Sequence, residues 1–363
     1  MIGPFPPPYH GQSIANETLK KGLKSKEIEV ISLNTRSGKK VSSEYRKLEY
    51  LFVNIIYNLY YLMKNIFIVL FKKYDVIYMT PGQSYFGFLK FSPYITIAKN
   101  KGKPIYIHIH GGGFREYFSS FNERRKNKIK KVLNSVDGII VLGESLKSMF
   151  DNIVERKDML LVCENGVKEE FFLSEKIFKE KLTNFSEEIR ILYMSLLEKS
   201  KGILDLLKAC ELMRKEGIDF HLDLAGNISK DIETEINYYL SILDKNVTYH
   251  GFVNGIKKKE LLIKNYIFCL PTYYINEGQP ISVLEAYANG MAVVVTNQGG
   301  IQDIFKEGKN GFFCEKNNPH YLKNRIIETH RNYKNFAVYN YYISKEKYTE
   351  EEFVNRIINI LKI

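Results

Sequence analysis

The chain has 363 residues, 45% hydrophobic and 26% charged, which is enough for two domains of ordinary size, each with its own core. Its net charge of +12 lies in the first half: residues 1–165 carry 26 Lys and Arg against 14 Asp and Glu, and residues 166–363 carry 27 against 27. Four scattered cysteines, Cys163, Cys210, Cys269 and Cys314, form no C-x-x-C pair, which argues against a zinc knuckle or a disulfide framework and fits a reducing compartment.

The opening "MIGPFPPPYHGQ" lacks the basic-then-apolar pattern of a secretory signal. Strand-like runs then alternate with helix-like segments. In the first half they are "EIEVISLN" (27–34), "YDVIYMT" (74–80), "PIYIHIH" (104–110), "DGIIVLG" (137–143) and "MLLVCENG" (159–166). The most apolar stretch, "LFVNIIYNLYYLMKNIFIVLF" (51–71), is interrupted by Asn54, Asn58, Lys64 and Asn65. It reads as a helix packed on a core or lying at a membrane surface, not one that spans. The cluster "RRKNKIKK" (124–131) is either a solvated helix face or part of a surface for an anionic partner such as lipid head groups, a pyrophosphate-linked acceptor or nucleic acid.

Asn-Gly in "ENGVKEEFF" (164–172) marks a domain junction. Beyond it come "IRILYMS" (189–195), "DFHLDLAG" (219–226), "VTYHG" (247–251), "IFCLPT" (267–272) and "AVVVTN" (292–297), with helical patterns such as "GILDLLKACELMRKEG" (202–217) between them. Short branched runs between helices imply parallel strands buried on both faces. Two sets of five imply two doubly wound α/β domains, 1–166 and 167–345, whose strand ends would face each other across a cleft. The tail 346–363 holds "TEEEFVNRIINILKI", a Thr-x-x-Glu capping box opening an amphipathic helix that is expected to pack back on the first domain.

The stretch "NEGQPISVLEAYANG" (276–290) carries the most chemistry. "IFCLPT" ends a strand, a loop follows, and Pro280 suits the first turn of a helix whose unpaired amides form a phosphate site. Gly278 lets the backbone approach a ligand. Glu285 lies about 7.5 Å further along the helix axis, where its carboxylate could accept hydrogen bonds from a ribose diol. Glu277 would face whatever is attached beyond the phosphates. From spacing alone, the two glutamates either share one extended ligand or are a loop residue and a surface residue with no common task.

"EGQPISVLEA" resembles the Glu-Gly-x-Pro-x-x-x-x-Glu signature of glycosyltransferase family 4, the retaining enzymes of the GT-B fold among the group 1 glycosyltransferases. "SKGILDLLKA", "LDLAG" and "VTYHGFV" continue the resemblance in the family's order. It implies a GT-B architecture with an acceptor-binding first domain and a second domain that binds a nucleotide sugar, UDP-linked in preference to GDP-linked. It also implies that Glu277 contacts the donor sugar, Glu285 the nucleotide ribose, and the amides of Gly278, Gln279, Pro280 and Ile281 line the diphosphate, Pro280 supplying no N–H. Gly226 and Phe252 fall on the donor side, and Lys201 in "KSKG" matches a phosphate-binding lysine. Where the family commonly has an arginine shortly before that lysine, this chain has Leu196. There is no Asp-x-Asp anywhere, so metal independence and no cofactor beyond the nucleotide sugar are expected.

In the first domain, "IYIHIHGGGFREYF" ends in His110 and Gly111; the resemblance gives His110 a place beside the donor sugar and acceptor. Strand alternation puts His108 on the same face, as a core residue. Arg115 binds an acceptor phosphate or makes a rim salt bridge. "PFPPPYHGQS" (4–13) resembles the family's first glycine loop, with Gly11 and Gln12 turned toward the ligand and Gly-Gln in place of Gly-Gly. The resulting expectation is a hexosyl- or N-acetylhexosaminyl-transferase of O-antigen or capsule synthesis, with a polyprenyl-diphosphate-linked saccharide as acceptor. It would be cytoplasmic, held peripherally on the inner face of the plasma membrane by its basic domain, with no nucleic-acid partner. Rival readings are a GT-B sugar-nucleotide epimerase and, from another class, a basic membrane- or nucleic-acid-binding protein. An α/β-hydrolase would explain "HGGG", but "GESLK" and "GQSYF" lack the final glycine of a nucleophile elbow.

Overall fold

The computed structural model describes residues 1–7, 11–35 and 47–363, the side chains of 47–58 excepted. The Pro8–His10 part of the expected glycine loop and the side chains opening the 51–71 stretch lie outside the described residues. The chain divides into two compact units, Met1–Asn165 with Glu350–Ile363, and Gly166–Thr349.

Each unit holds one parallel six-stranded sheet. In the first, β1 (Ile2–Gly3), β2 (Leu33–Asn34), β3 (Ile77–Met79), β4 (Ile105–Ile109), β5 (Gly138–Val141) and β6 (Leu160–Val162) lie in the order β2-β1-β3-β4-β5-β6. In the second, β7 (Ile189–Met194), β8 (Phe220–Ala225), β9 (Val247–Tyr249), β10 (Ile267–Leu270), β11 (Ala292–Val295) and β12 (Gly311–Phe313) lie in the order β12-β11-β10-β7-β8-β9. Both are doubly wound, and the strand order reverses between β1 and β3 in one and between β7 and β10 in the other. Ligands of such sheets bind outside the strands' carboxyl ends at the reversal.

The expected count of five strands per half becomes six, because β1 and β12 are too short to show a hydrophobic run. The expected strand 27–34 shrinks to Leu33–Asn34. Glu27 takes a left-handed φ of 61° as the helix Gly11–Ser25 ends, and its N–H still bonds back to Lys24. The residues up to Leu33 therefore form no ladder. The central strands match their sequence pattern: every residue of β10 and β11 is buried. Burial on both faces selects such continuous apolar runs.

The tail helix Glu350–Leu361 closes the first unit. Phe353, Val354, Ile357 and Leu361 pack with Ala15, Leu19 and Leu23 of the helix Gly11–Ser25. The 51–71 stretch forms a helix, Lys47–Phe71, and no helix among the described residues is long and apolar enough to cross a membrane.

Candidate active site

In the second unit, the loop leaving β7 and the loop leaving β10 meet at the reversal point. Gly202 makes the approach possible. It has φ +73°, and a Cβ on it would stand 2.0 Å from the carbonyl oxygen of Pro271. Tyr273 N–H donates to the Ser200 carbonyl at 2.8 Å, fastening the loops together. The result is an ion pair between Lys201 Nζ and Glu277 Oε2 at 2.7 Å, with side chains only 13% and 7% exposed. Thr272 Oγ1 donates to the same carboxylate oxygen at 2.9 Å, and the ammonium lies 4.3 Å from the Tyr274 ring centroid. A buried cation and anion are costly unless paired, and this pair sits at the strand-order reversal, where ligands of such sheets bind.

The residues after Glu277 run directly into the helix Ile281–Ala288, whose N-cap is Pro280. The loop is held from the far side by the turn after β11. Gly300 N–H donates to the Gly278 carbonyl at 2.8 Å, and Gly299, at φ +54°, leaves no room for a Cβ against the Glu277 carbonyl, 1.9 Å away. Gln279 is buried. The first-turn amides of the helix therefore follow Glu277 within four residues, as an anion site requires.

Glu285, on that helix, is also buried and also paired. Lys258 Nζ lies 2.6 Å from its Oε1, with side chains 16% and 6% exposed, and stands 4.4 Å from the Phe171 ring centroid. Lys258 is the residue that the sequence reading misses. It is one of three consecutive lysines, 257–259, on the helix Gly255–Lys264, and only the fold selects the one that meets Glu285. That helix is anchored at its far end by Asp223, which is fully buried and accepts from His250 Nε2 at 2.7 Å, Asn265 Nδ2 at 2.9 Å and Lys264 Nζ at 3.0 Å. Burial pushes the Asp223 carboxyl up, but these donors outweigh it and hold it below the usual carboxylate range. Gly226 follows on from the same strand. Its N–H donates to the Gly251 carbonyl and its own carbonyl accepts from Tyr249, so it lies beside Phe252, whose ring is exposed. Leu196 is exposed at the end of β7, so no guanidinium stands where the family's arginine is expected.

In the first unit, Gln12 Nε2 donates to the Thr80 carbonyl at 2.7 Å, bridging the elements that follow β1 and β3 at that sheet's own reversal. Gly11 opens the helix there, with open space where its Cβ would be. His110 follows β4 and stacks on His108 at 4.1 Å between ring centroids, as the two-residue period places them. His108 is fully buried and hydrogen-bonds through Nδ1 to Tyr78 Oη at 2.7 Å. Burial first, then the charge of His110, holds it well below the ordinary histidine value. At Gly111, the Gln83 side-chain amide fills the place of a Cβ. The Arg115 guanidinium donates to the Ser148 carbonyl at 2.6 Å and the Asp151 carbonyl at 3.1 Å, and lies 3.9 Å from the Asp151 carboxylate.

Comparison with known proteins bears on the family and the fold. The sequence model of the family described as "Glycosyl transferases group 1" matches residues 174–358. An uncharacterized glycosyltransferase of Methanocaldococcus jannaschii is 24% identical over 277 residues, 70% of this chain and 68% of that protein. The amylovoran biosynthesis glycosyltransferase of Erwinia amylovora is 25% identical over 35% of this chain and 32% of its own length. Among solved structures, Anabaena HepE in complex with UDP and glucose superposes with a TM-score of 0.74 at 15% identity, covering 99% of this chain and 98% of that one. The two doubly wound sheets are those of the GT-B fold. With more than half its length matched, this chain belongs to the group 1 glycosyltransferase family.

Proposed function

We propose that the chain is a retaining, metal-independent glycosyltransferase that moves a hexosyl or N-acetylhexosaminyl group from a nucleotide diphosphate sugar to a hydroxyl of a lipid-linked saccharide. UDP is favoured over GDP as the donor nucleotide. The observation that carries the reading is the buried Lys201–Glu277 pair at the reversal between β7 and β10, directly before the helix Ile281–Ala288. The bond from the anomeric carbon to the diphosphate oxygen breaks, and negative charge grows on the diphosphate. In this reading Lys201 and the first-turn amides stabilise that charge. Once Lys201 turns to the phosphates, Glu277 is released to accept hydrogen bonds from donor-sugar hydroxyls. The acceptor oxygen bonds to the anomeric carbon on the face the nucleotide leaves, and its proton passes to the departing diphosphate. Glu285 would take the ribose diol, and Lys258 keeps that carboxylate in place.

The preference for UDP is supported by the UDP bound to the structurally similar HepE, and a role in surface polysaccharide synthesis by the amylovoran relative. The acceptor class and a site of action on the inner face of the plasma membrane rest on the basic first half of the chain, which suits an anionic lipid surface. Four buried free thiols suit a reducing cytoplasm. Calorimetric titration of UDP and GDP, without added metal, into wild type and Glu285→Ala tests the donor site. UDP is expected to bind the wild type and to bind the variant at least tenfold more weakly. Failure of both nucleotides to bind, with or without magnesium, would remove the donor assignment.

A further inference from the structure

The helix Lys47–Phe71 carries two apolar faces. One is spent on the first unit's core: Asn65 and Val69 are buried, and Leu62 and Ile66 pack beside them. The other is exposed. Leu59, Tyr60, Met63, Phe67, Leu70 and Phe71 recur at helical spacing, and at about 100° per residue their mean direction lies about 130° from that of Leu62, Asn65, Ile66 and Val69. Phe67 is 62% exposed and Phe71 69%. The neighbouring helix Tyr85–Leu89 meets the stripe at its Leu59 edge: Phe86, 74% exposed, lines a cavity of about 460 Å3 with Leu59 and with Leu62 and Asn65 from the core-facing side, and Lys90 stands at it. At about 200 Å2 per ring, Tyr60, Phe67, Phe71 and Phe86 alone leave on the order of 500 Å2 of aromatic surface in water. That is the scale of an interaction site.

Charge says what covers it. Residues 59–91 contain four lysines, Lys64, Lys72, Lys73 and Lys90, all exposed, and a single acidic residue, Asp75. Lys64 borders the stripe, and Lys72 and Lys73 follow its last ring. Aromatic and aliphatic side chains flanked by lysines on a helix that cannot span are the features of a helix lying in a bilayer interface, rings among the acyl chains and ammonium groups at the phosphates. We infer that this face, Leu59–Phe71 with Phe86, is where the protein docks on an anionic lipid bilayer. The inference deepens the proposed function by naming the surface that would bring the enzyme to a lipid-linked acceptor. It does not depend on which sugar is moved.

The chain has no tryptophan, so a single one is a clean reporter. Phe67→Trp places it on the face, and Tyr238→Trp places it on an exposed position of the second unit. On addition of phosphatidylcholine vesicles containing 30% phosphatidylglycerol, as in about a third of the lipid carrying charge, Trp emission at position 67 should shift to the blue and be quenched by brominated lipid; position 238 should do neither. Flotation of Phe67→Ser/Phe71→Ser/Phe86→Ser should show at least a tenfold weaker partition, with UDP binding unchanged. Lys64→Glu/Lys72→Glu/Lys73→Glu should remove the preference for anionic over neutral vesicles. The inference falls if the position-67 signal ignores vesicles or if the serine variant floats like wild type. It also falls if the position-67 emission is already blue-shifted without lipid in a dimer that the serine variant abolishes, which would make the face a self-interface. Loss of UDP binding in the wild type would instead strike the donor site and leave the vesicle result standing.

Discussion

Lys201 and Glu277 stand seventy-six residues apart in sequence and share one 2.7 Å contact. On the proposed function, each is satisfied by the other before a donor arrives, and each would exchange that contact for a different group of the donor. Lys201→Ala should lower kcat about a hundredfold or more, the scale of losing one donor to a developing oxyanion. Steady-state kinetics with a saturating nucleotide sugar checks it. Lys258→Met should act differently: Glu285 loses the cation that positions it, so nucleotide affinity is expected to fall about tenfold while kcat changes little. The glycines give a control on geometry. Gly299 and Gly217 both have positive φ, +54° and +67°, but only Gly299 has backbone in the place of a Cβ. Gly217→Ala should cost about 1–2 kcal/mol of stability, the left-handed penalty alone. Gly299→Ala should cost more in denaturant melts and weaken nucleotide binding too, because it displaces the Glu277 carbonyl.

At the scale of elements, β3 and β4 are joined by ladder hydrogen bonds and by Tyr78 Oη on His108 Nδ1, inside the first unit. His108 is held neutral there, its folded value well below 6.5. The unfolded chain binds the proton first as pH falls, so stability is full above about pH 6.5 and is lost on acidification below it, at up to about 1.4 kcal/mol per pH unit. His108→Gln, which keeps an acceptor for Tyr78, should flatten the dependence of urea stability between pH 6.5 and 5. An unchanged slope would mean that other groups carry it. The loops that end β7 and β10 show why this segment could be read early: Glu277, Gly278, Pro280 and Glu285 fall in one unbroken stretch with a strand before it and a helix through it. Lys258 could not be read, because three adjacent lysines look alike until the helix is rotated against the sheet.

At the scale of the molecule, the chain returns to its first unit at the end. Phe353, Val354, Ile357 and Leu361 are each 5% exposed or less, and burying each contributes about 1.5–3 kcal/mol. Their sum matches the whole stability of an ordinary domain. Deleting 350–363 is therefore expected to unfold the first unit while the second, whose core is separate, keeps its own thermal transition and its UDP affinity. Calorimetry of the truncated chain checks both halves of that statement. Gly22, whose missing Cβ would lie 2.3 Å from Val354 Cγ2, offers a milder version: Gly22→Ala should loosen the same contact.

The sequence by itself determined the α/β alternation, the presence of two parallel-sheet units and the strand–loop–helix form of the 276–290 segment. These depend on local periodicity and on residues adjacent in the chain. Buried parallel strands must be runs of apolar residues, and a strand–loop–helix phosphate site must be contiguous. Tertiary structure alone decided what lies far apart in sequence: the strand order that puts Lys201 on Glu277, the choice of Lys258 for Glu285, and the contacts of Arg115 with Ser148 and Asp151. It also cut the expected strand 27–34 to the two residues of β2 and decided the short strands β1 and β12, whose two or three residues carry no period and exist because a neighbouring strand completes their hydrogen bonds. The same holds for the helix Lys47–Phe71. Its sequence shows that it is apolar, but only the packing shows which face the core uses and which it leaves exposed.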